Sequence, residues 1–370
     1  MKLKDIIRES RDTYKGNMSG VPVVGLEHLI PEEICFSEYE ISSDKSFTKA
    51  FHKGQVLFGR RRAYQKKAAI AHVDGVCSGD IMVLEAIPGK VEPSLVPFII
   101  QNDRFFDYAI QHSEGGLSPR VKWNAIANYE FDLPSLEEQK VLADKLWAAY
   151  KVKESYRQLL TATDDMVKAI FQKMFGKIDG EEYAIKDLFV LQMGKTPERK
   201  NASYWDNGTH KWFSIADMSK SDIYSGDTDE YISDIAVKET GIKTVKKGTI
   251  FMSFKLTIGK VLVASEDIFT NEAIMAFVEK QPFDSSNGVQ ISKKWLFYCF
   301  VYKDWLENAA QAVKGNTLNK ESIGNSKIIL PEYKLQMQFV AIATQAEATK
   351  ASLRKLIASA DRVIRSLINQ

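Results

Sequence analysis

The sequence predicts an α+β protein built twice over, in the order globule, long helix, globule, long helix. Three observations predict it. Leu133-Pro134 and Leu330-Pro331 are each followed, five residues after the proline, by a glutamine, Gln139 and Gln336. Both glutamines begin stretches without an internal Gly or Pro, in which apolar or small residues recur at alternating steps of four and three. The segments ahead of the two stretches also match one another in order, and such an internal repeat governs the whole fold. The implied boundaries are 1–132 for the first globule, 133–176 for the first long helix, 177–329 for the second globule and 330–370 for the second helix.

In the first globule Leu3-Lys4-Asp5-Ile6 matches Ile185-Lys186-Asp187-Leu188 of the second. A strand-like run, Val23 to Leu29, corresponds to Trp212 to Met218. His52-Lys53-Gly54-Gln55-Val56-Leu57-Phe58 corresponds to Lys246-Lys247-Gly248-Thr249-Ile250-Phe251-Met252, a turn feeding an apolar strand. Ile81-Met82 with Glu85 pairs with Ile274-Met275 and Glu279. Each half then holds one helix, near 94–112 and 292–313, and a Gly-containing loop before its Leu-Pro. Short β-branched and aromatic strands with one substantial helix per globule make the class α+β.

Ser135-Leu136-Glu137-Glu138 is a capping box at the start of the first long helix, and Gly176 stands where that helix must stop. About 40 residues at about 1.5 Å each make a rod of about 60 Å. The second helix places Leu335, Phe339, Ile342, Ala346, Thr349, Leu353, Leu356, Ala360, Val363 and Leu367 on one seam. The first places Leu142, Ala149, Val152, Tyr156, Leu159, Thr163, Met166 and Ile170 there. A seam of this period keeps one helix against another. The two helices are therefore expected to pair antiparallel, with the globules related by a pseudo-two-fold axis and spaced to read two half-sites on one linear partner.

Charge is near balance, at a net +2, but unevenly spread. Between Lys45 and Lys67 lie eight basic residues and no acidic one: Lys45, Lys49, Lys53, Arg60, Arg61, Arg62, Lys66 and Lys67. The matching part of the second globule carries Lys238, Lys243, Lys246, Lys247, Lys255 and Lys260 against one acidic residue, Glu239. Cations recurring in the same part of both repeats are the footprint of a phosphate-backbone reader. A solvated charged hairpin is the competing reading, and charge alone does not separate the two.

Enzymatic signatures fail. Gly194-Lys195-Thr196 has Phe189 where a P-loop requires glycine, and Pro197 follows it directly. Glu332-Tyr333-Lys334 has nuclease-like spacing without an Asp partner. The five histidines are scattered, Cys35, Cys77 and Cys299 are isolated, and no amino-methyltransferase tetrapeptide occurs, so neither a catalytic nor a metal site is expected. No secretory h-region and no membrane-length apolar run is present, which predicts a cytoplasmic protein.

The residues that repeat are also those of a known family. Leu133 to Lys140, Leu330-Pro331 through Gln336, Lys53-Gly54, Lys247-Gly248, and Gly194-Lys195-Thr196-Pro197 followed by Tyr204-Trp205, Trp212 and Asp217 resemble type I restriction-modification specificity subunits. The first globule lacks the Gly-Lys-Thr-Pro and Tyr-Trp segment, so it opens more briefly. The resemblance implies a non-catalytic host-defence subunit with two target recognition domains and a conserved coiled coil. Each domain would read one half of a gapped, asymmetric double-stranded DNA site. Two adenine-methyltransferase subunits would dock on the helices, motor-nuclease subunits would join them, and S-adenosylmethionine, ATP and Mg²⁺ would belong to those partners. It also implies that Pro134, Gln139, Pro331 and Gln336 lie near partner contacts, with capping of the helix start as the other reading. Base-reading positions vary within the family, so Lys53, Arg60, Arg61, Arg62, Lys66, Lys67, Lys195, Lys247, Lys255 and Lys314 are DNA-binding candidates from local charge. A duplicated coiled-coil scaffold for proteins, without sequence-specific DNA binding, is the alternative.

Overall fold

The computed structural model describes residues 1–41, 47–178, 180–255, 257–283, 289–306, 311–312, 315–316 and 318–369, with backbone alone at 311–312 and 315–316. The chain forms two compact units. One comprises Met1–Leu160 with Ala351–Gln370, the other Thr161–Lys350.

Within the first unit a four-stranded antiparallel sheet runs in the order Ile7–Glu9, Ile81–Ala86, Val56–Gly59, Ala68–Ile70. The second unit repeats it with Phe189–Met193, Ile274–Glu279, Ile250–Ser253 and Val261–Val263. The paired registers agree as well: Phe58 lies opposite Met82, and Met252 opposite Met275. Each unit adds one parallel pairing, Val23 with Val76 in the first and Trp212 with Phe269 in the second. The duplication read from the residues is thus a duplication of topology.

Each sheet packs its apolar face on helices. Phe58, Phe98, Phe105 and Phe106 centre one core, and Trp295, Phe277 and Phe300 the other. The expected helix 94–112 is broken into Val96–Ile100 and Asp103–Gln111. Asn102 sits extended between them and accepts from the Arg104 amide, so an N-cap side chain restarts the helix there. In the second unit the helix is Lys293–Tyr302, capped by Ser292, and is shorter than the 292–313 expected. Asp304 caps the following turn instead, accepting from the Leu306 amide.

The long helices are Leu136–Phe175 and Tyr333–Ile368. Ser135 and Glu138 form the expected capping box, with the Glu138 amide donating to Ser135 Oγ at 3.3 Å and the Ser135 amide donating to Glu138 Oε2 at 3.0 Å. In the second unit Lys350 meets Asp164, and Phe339 packs on both Phe171 and Phe175, so the helices run antiparallel there. In the first unit Lys153 meets Asp361 at 2.7 Å.

The seam differs from the one expected. Its buried positions are Gln139, Ala143, Leu146, Tyr150, Lys153, Thr163 and Val167 on one helix, and Gln336, Phe339, Ala343, Ala346, Lys350, Leu353 and Ile364 on the other. Val152, Leu159, Met166, Ile342, Leu356 and Val363, all expected in the seam, are exposed. On the second helix Phe339, Ala346 and Leu353 fall in the seam as expected and the positions between them lie one residue further on. On the first helix Thr163 alone of the expected positions is buried, and Leu142, Ala149, Val152 and Met166 each stand one residue before a buried one. The physical reason is that the true seam takes in two glutamines and two lysines whose polar ends are bonded in place, and apolarity alone cannot register those.

Candidate nucleic-acid interface

The repeated Lys-Gly turn is built identically in both units. Gly54 and Gly248 take φ of 92° and 80°, a left-handed backbone that favours glycine. Their amides donate to Ala71 O and Ala264 O, both at 2.8 Å. Asp74 accepts from the Lys53 amide at 2.7 Å, and Asp267 accepts from the Lys247 amide at 2.9 Å. Each aspartate fixes a turn whose lysine side chain stands in solvent. Lys53 and Lys247 are therefore equivalent exposed cations on equivalent strands.

The rest of the basic run is largely engaged within the first unit. Arg61 donates to Ser118 Oγ at 3.0 Å and approaches Asp80, which Arg120 also holds at 2.8 Å. Burial would raise the Asp80 carboxyl, but the hydrogen bonds and charges of Arg120 and Arg61 prevail and keep it below its ordinary range. Lys66 reaches Asp103 at 2.6 Å and Lys67 donates to Leu26 O at 2.8 Å. The Nε atoms of Arg60 and Arg62 are buried without a hydrogen-bond partner. In the second unit Lys195 donates to Thr240 O, while Lys255 is exposed beside the Phe254 ring. Lys314, like Lys45, lies outside the described residues. The geometry of the first unit thus brings Arg61 together with Arg120 and Asp80 and leaves Lys53 outside that cluster, while Lys247 and Lys255 are exposed in the second unit.

Two features escaped the residue-by-residue reading. The Arg199 guanidinium lies 4.0 Å from the Trp205 ring and 4.6 Å from the Trp212 ring, and is paired with Glu230. This clamp holds the Gly-Lys-Thr-Pro loop on the aromatic wall, where Trp212 also donates to Lys195 O. The Arg-x₅-Trp spacing was its only trace in the sequence. The second is a network around Glu33, which accepts from Lys153 at 3.2 Å and from Arg157 at 2.5 Å, with Asp361 on the other side of Lys153. Glu33 lies 120 residues from Lys153, and no local pattern joins them.

Gln139 and Gln336 are buried and engaged within their own units. Gln139 donates to Pro134 O and accepts from the Glu92 amide. Gln336 donates to Pro331 O and Gln290 O, and accepts from the Ser292 amide. Glu92 caps the 3₁₀ turn Pro93–Leu95 that leads into Val96–Ile100, and Ser292 caps Lys293–Tyr302, so each glutamine ties a long helix to the helical segment of its globule. Pro134 is exposed. Pro331 is buried but borders two open clefts, one with Leu330 and Tyr333, the other with Ile178 and Leu335.

Among the described residues one cluster has metal-ligand chemistry, Glu27, His28 and Glu40. His28 Nδ1 accepts from the Gly25 amide at 2.9 Å, which in the neutral ring places the proton on Nε2, the atom facing Glu40. That nitrogen stands 3.8 Å from the Glu40 carboxylate.

The family model for the type I restriction modification DNA specificity domain matches residues 4–160 and 177–361. The chain belongs to this family. The type I restriction enzyme MjaIX specificity subunit of Methanocaldococcus jannaschii is 30% identical over 145 residues, 38% of this chain and 32% of that protein. The EcoprrI specificity subunit of Escherichia coli is 26% identical over 135 residues, 36% of this chain and 32% of that protein. Each match therefore spans about a third of the curated relative's length. A solved structure of a type I R-M system under study for complex assembly and conformational transition is 18% identical, with a TM-score of 0.59, over 100% of this chain and 96% of that chain. It shares the fold across the whole length. The family model matches the chain in two stretches, and the Lys-Gly turn is common to both. Among the described residues no helix is long and apolar enough to cross a membrane.

Proposed function

We propose that this chain is a non-catalytic DNA-specificity subunit, in which each globule reads one half of a gapped, asymmetric site. The observation that carries this reading is the Lys-Gly turn, built twice with the same glycine conformation, the same aspartate staple and the same exposed lysine. A turn that recurs with its cation free is suited to two equivalent phosphate contacts, which position a protein on a duplex without specifying bases. Lys255 adds a further exposed charge, Lys195 and the half-buried Arg60, Arg61, Arg62, Lys66 and Lys67 lie near enough to the surface to turn toward a polyanion, and Lys314 remains a candidate from its charge.

The helices support docking of adenine-methyltransferase subunits. Val152, Leu159, Leu356 and Val363 of the first unit are apolar and exposed, as are Met166, Met337 and Ile342 of the second. On the first helix Val152, Leu159 and Met166 recur seven residues apart, a spacing suited to a contact with a protein partner along one helix face. Pro331, with its two clefts, and Pro134 flank the starts of these helices. S-adenosylmethionine, ATP and Mg²⁺ belong on the methyltransferase and motor-nuclease partners in this reading.

Methylome sequencing of cells expressing the chain with its cognate methyltransferase is expected to show one gapped motif, and an unchanged methylome refutes the proposal. Exchanging residues 1–132 for another such globule is expected to change one half-site only. A protein-binding scaffold would show negligible DNA affinity at any salt, whereas phosphate contacts give affinity that falls steeply with salt.

A further inference from the structure

Leu117 is 99% exposed, whereas the next most exposed large hydrophobic side chain among the described residues, Ile41, is 66% exposed. It stands at the tip of a hairpin in the first unit. The Glu114 amide donates to Arg120 O at 2.9 Å and the Arg120 amide donates back to Glu114 O at 2.8 Å. Gly115, at φ +110°, and Gly116 make the turn, and a Cβ on Gly116 would meet nothing within 4 Å. The base of the hairpin is held on every side. Arg61 bonds Ser118 Oγ, the Arg62 amide donates to Pro119 O, Arg120 pairs with Asp80, and Lys122 pairs with Glu114 at 2.6 Å. A leucine kept wholly in water by a braced hairpin does not serve the fold.

We propose that Leu117 is a wedge, inserted between neighbouring base pairs of the half-site read by the first globule. This rests on the DNA-specificity reading and adds to it the residue that deforms the duplex. Proteins that bend DNA insert apolar side chains into a base step and hold the flanking phosphates with cations. Here the apolar tip projects from a base carrying Arg61, Arg120 and Lys122, all partly exposed. Their carboxylate partners, Asp80 and Glu114, hold the guanidiniums and the ammonium in place until phosphates compete for them. Because unstacking costs depend on the step, a wedge would select flexible pyrimidine–purine steps.

The experiment uses the full chain assembled with its methyltransferase, on a duplex carrying its methylome-defined site with 2-aminopurine at successive positions of the half-site. Leu117→Ala removes no packing and is expected to leave the melting temperature unchanged. Wild type is expected to raise 2-aminopurine fluorescence at one step. Leu117→Ala is expected to lose that signal and to bind the site about tenfold more weakly, with binding to unrelated duplex unaltered, and Leu117→Phe to restore both. A wild-type complex that prefers its site while Leu117→Ala matches it in affinity and fluorescence overturns the wedge alone. A weaker Leu117→Ala without any wild-type fluorescence change reduces Leu117 to a groove contact and also overturns insertion. A wild-type complex with no site preference overturns both the wedge and the reading beneath it.

Discussion

At the scale of single residues, two glutamines and one glutamate hold positions that composition would assign to apolar side chains. Gln336 satisfies two carbonyls and one amide at once. Gln336→Ala is expected to lower unfolding stability by about 2 kcal/mol, the cost of leaving such buried groups unpaired, read from urea denaturation. Gln336→Glu should be worse, since it turns a carboxylate toward two carbonyl oxygens. A Glu variant as stable as wild type would show that the amide donors do not matter. Glu33 gives a pH signature. Burial raises its pKa, but the Arg157 hydrogen bond and the charges of Lys153 and Arg157 outweigh that and lower it beneath the ordinary 4.5. A depressed carboxyl contributes stability that is fully present above the unfolded value and lost as pH falls through the folded one. The stability of wild type is therefore expected to drop below about pH 4.5, and the drop to be shallower in Glu33→Gln. Identical acid limbs would contradict that account.

At the scale of elements, the long helices show what was legible and what was not. The start of the first was legible, because a capping box is a local pattern and Ser135 and Glu138 lie three residues apart. The Lys-Gly turns were legible too, since only glycine takes that backbone cheaply and the repeat showed it twice. The seam was displaced because Gln139, Lys153, Gln336 and Lys350 are buried with partners far along the chain. Apolar periodicity therefore settled on Val152, Leu159, Leu356 and Val363, which face outward. Carboxylates at Asp80, Asp103 and Glu32 occupy Arg61 and Lys66 in the same manner, so a bare count overstated the free charge of the basic run. The outward apolar residues yield a prediction. Val152→Lys with Leu159→Lys is expected to keep the melting temperature within about 2 °C, as exposed substitutions do, and to abolish co-purification with the methyltransferase. Retained assembly would remove these helix faces from the docking surface.

At the scale of the whole molecule, each compact unit draws on both long helices, and the first draws on both ends of the sequence. Residues 351–369 complete a unit that residue 1 begins. Arg365 pairs with Glu32, Asn102 donates to Ile368 O, and Asp361 holds Lys153. Synthesis on the ribosome delivers these partners only after the whole second unit has emerged. Until they emerge, the opening globule lacks Asp361 beside Lys153 and Arg365 beside Glu32, whereas the middle of the chain already holds every residue of its own unit. A premature stop near codon 350 should consequently harm the beginning of the protein more than the segment just translated.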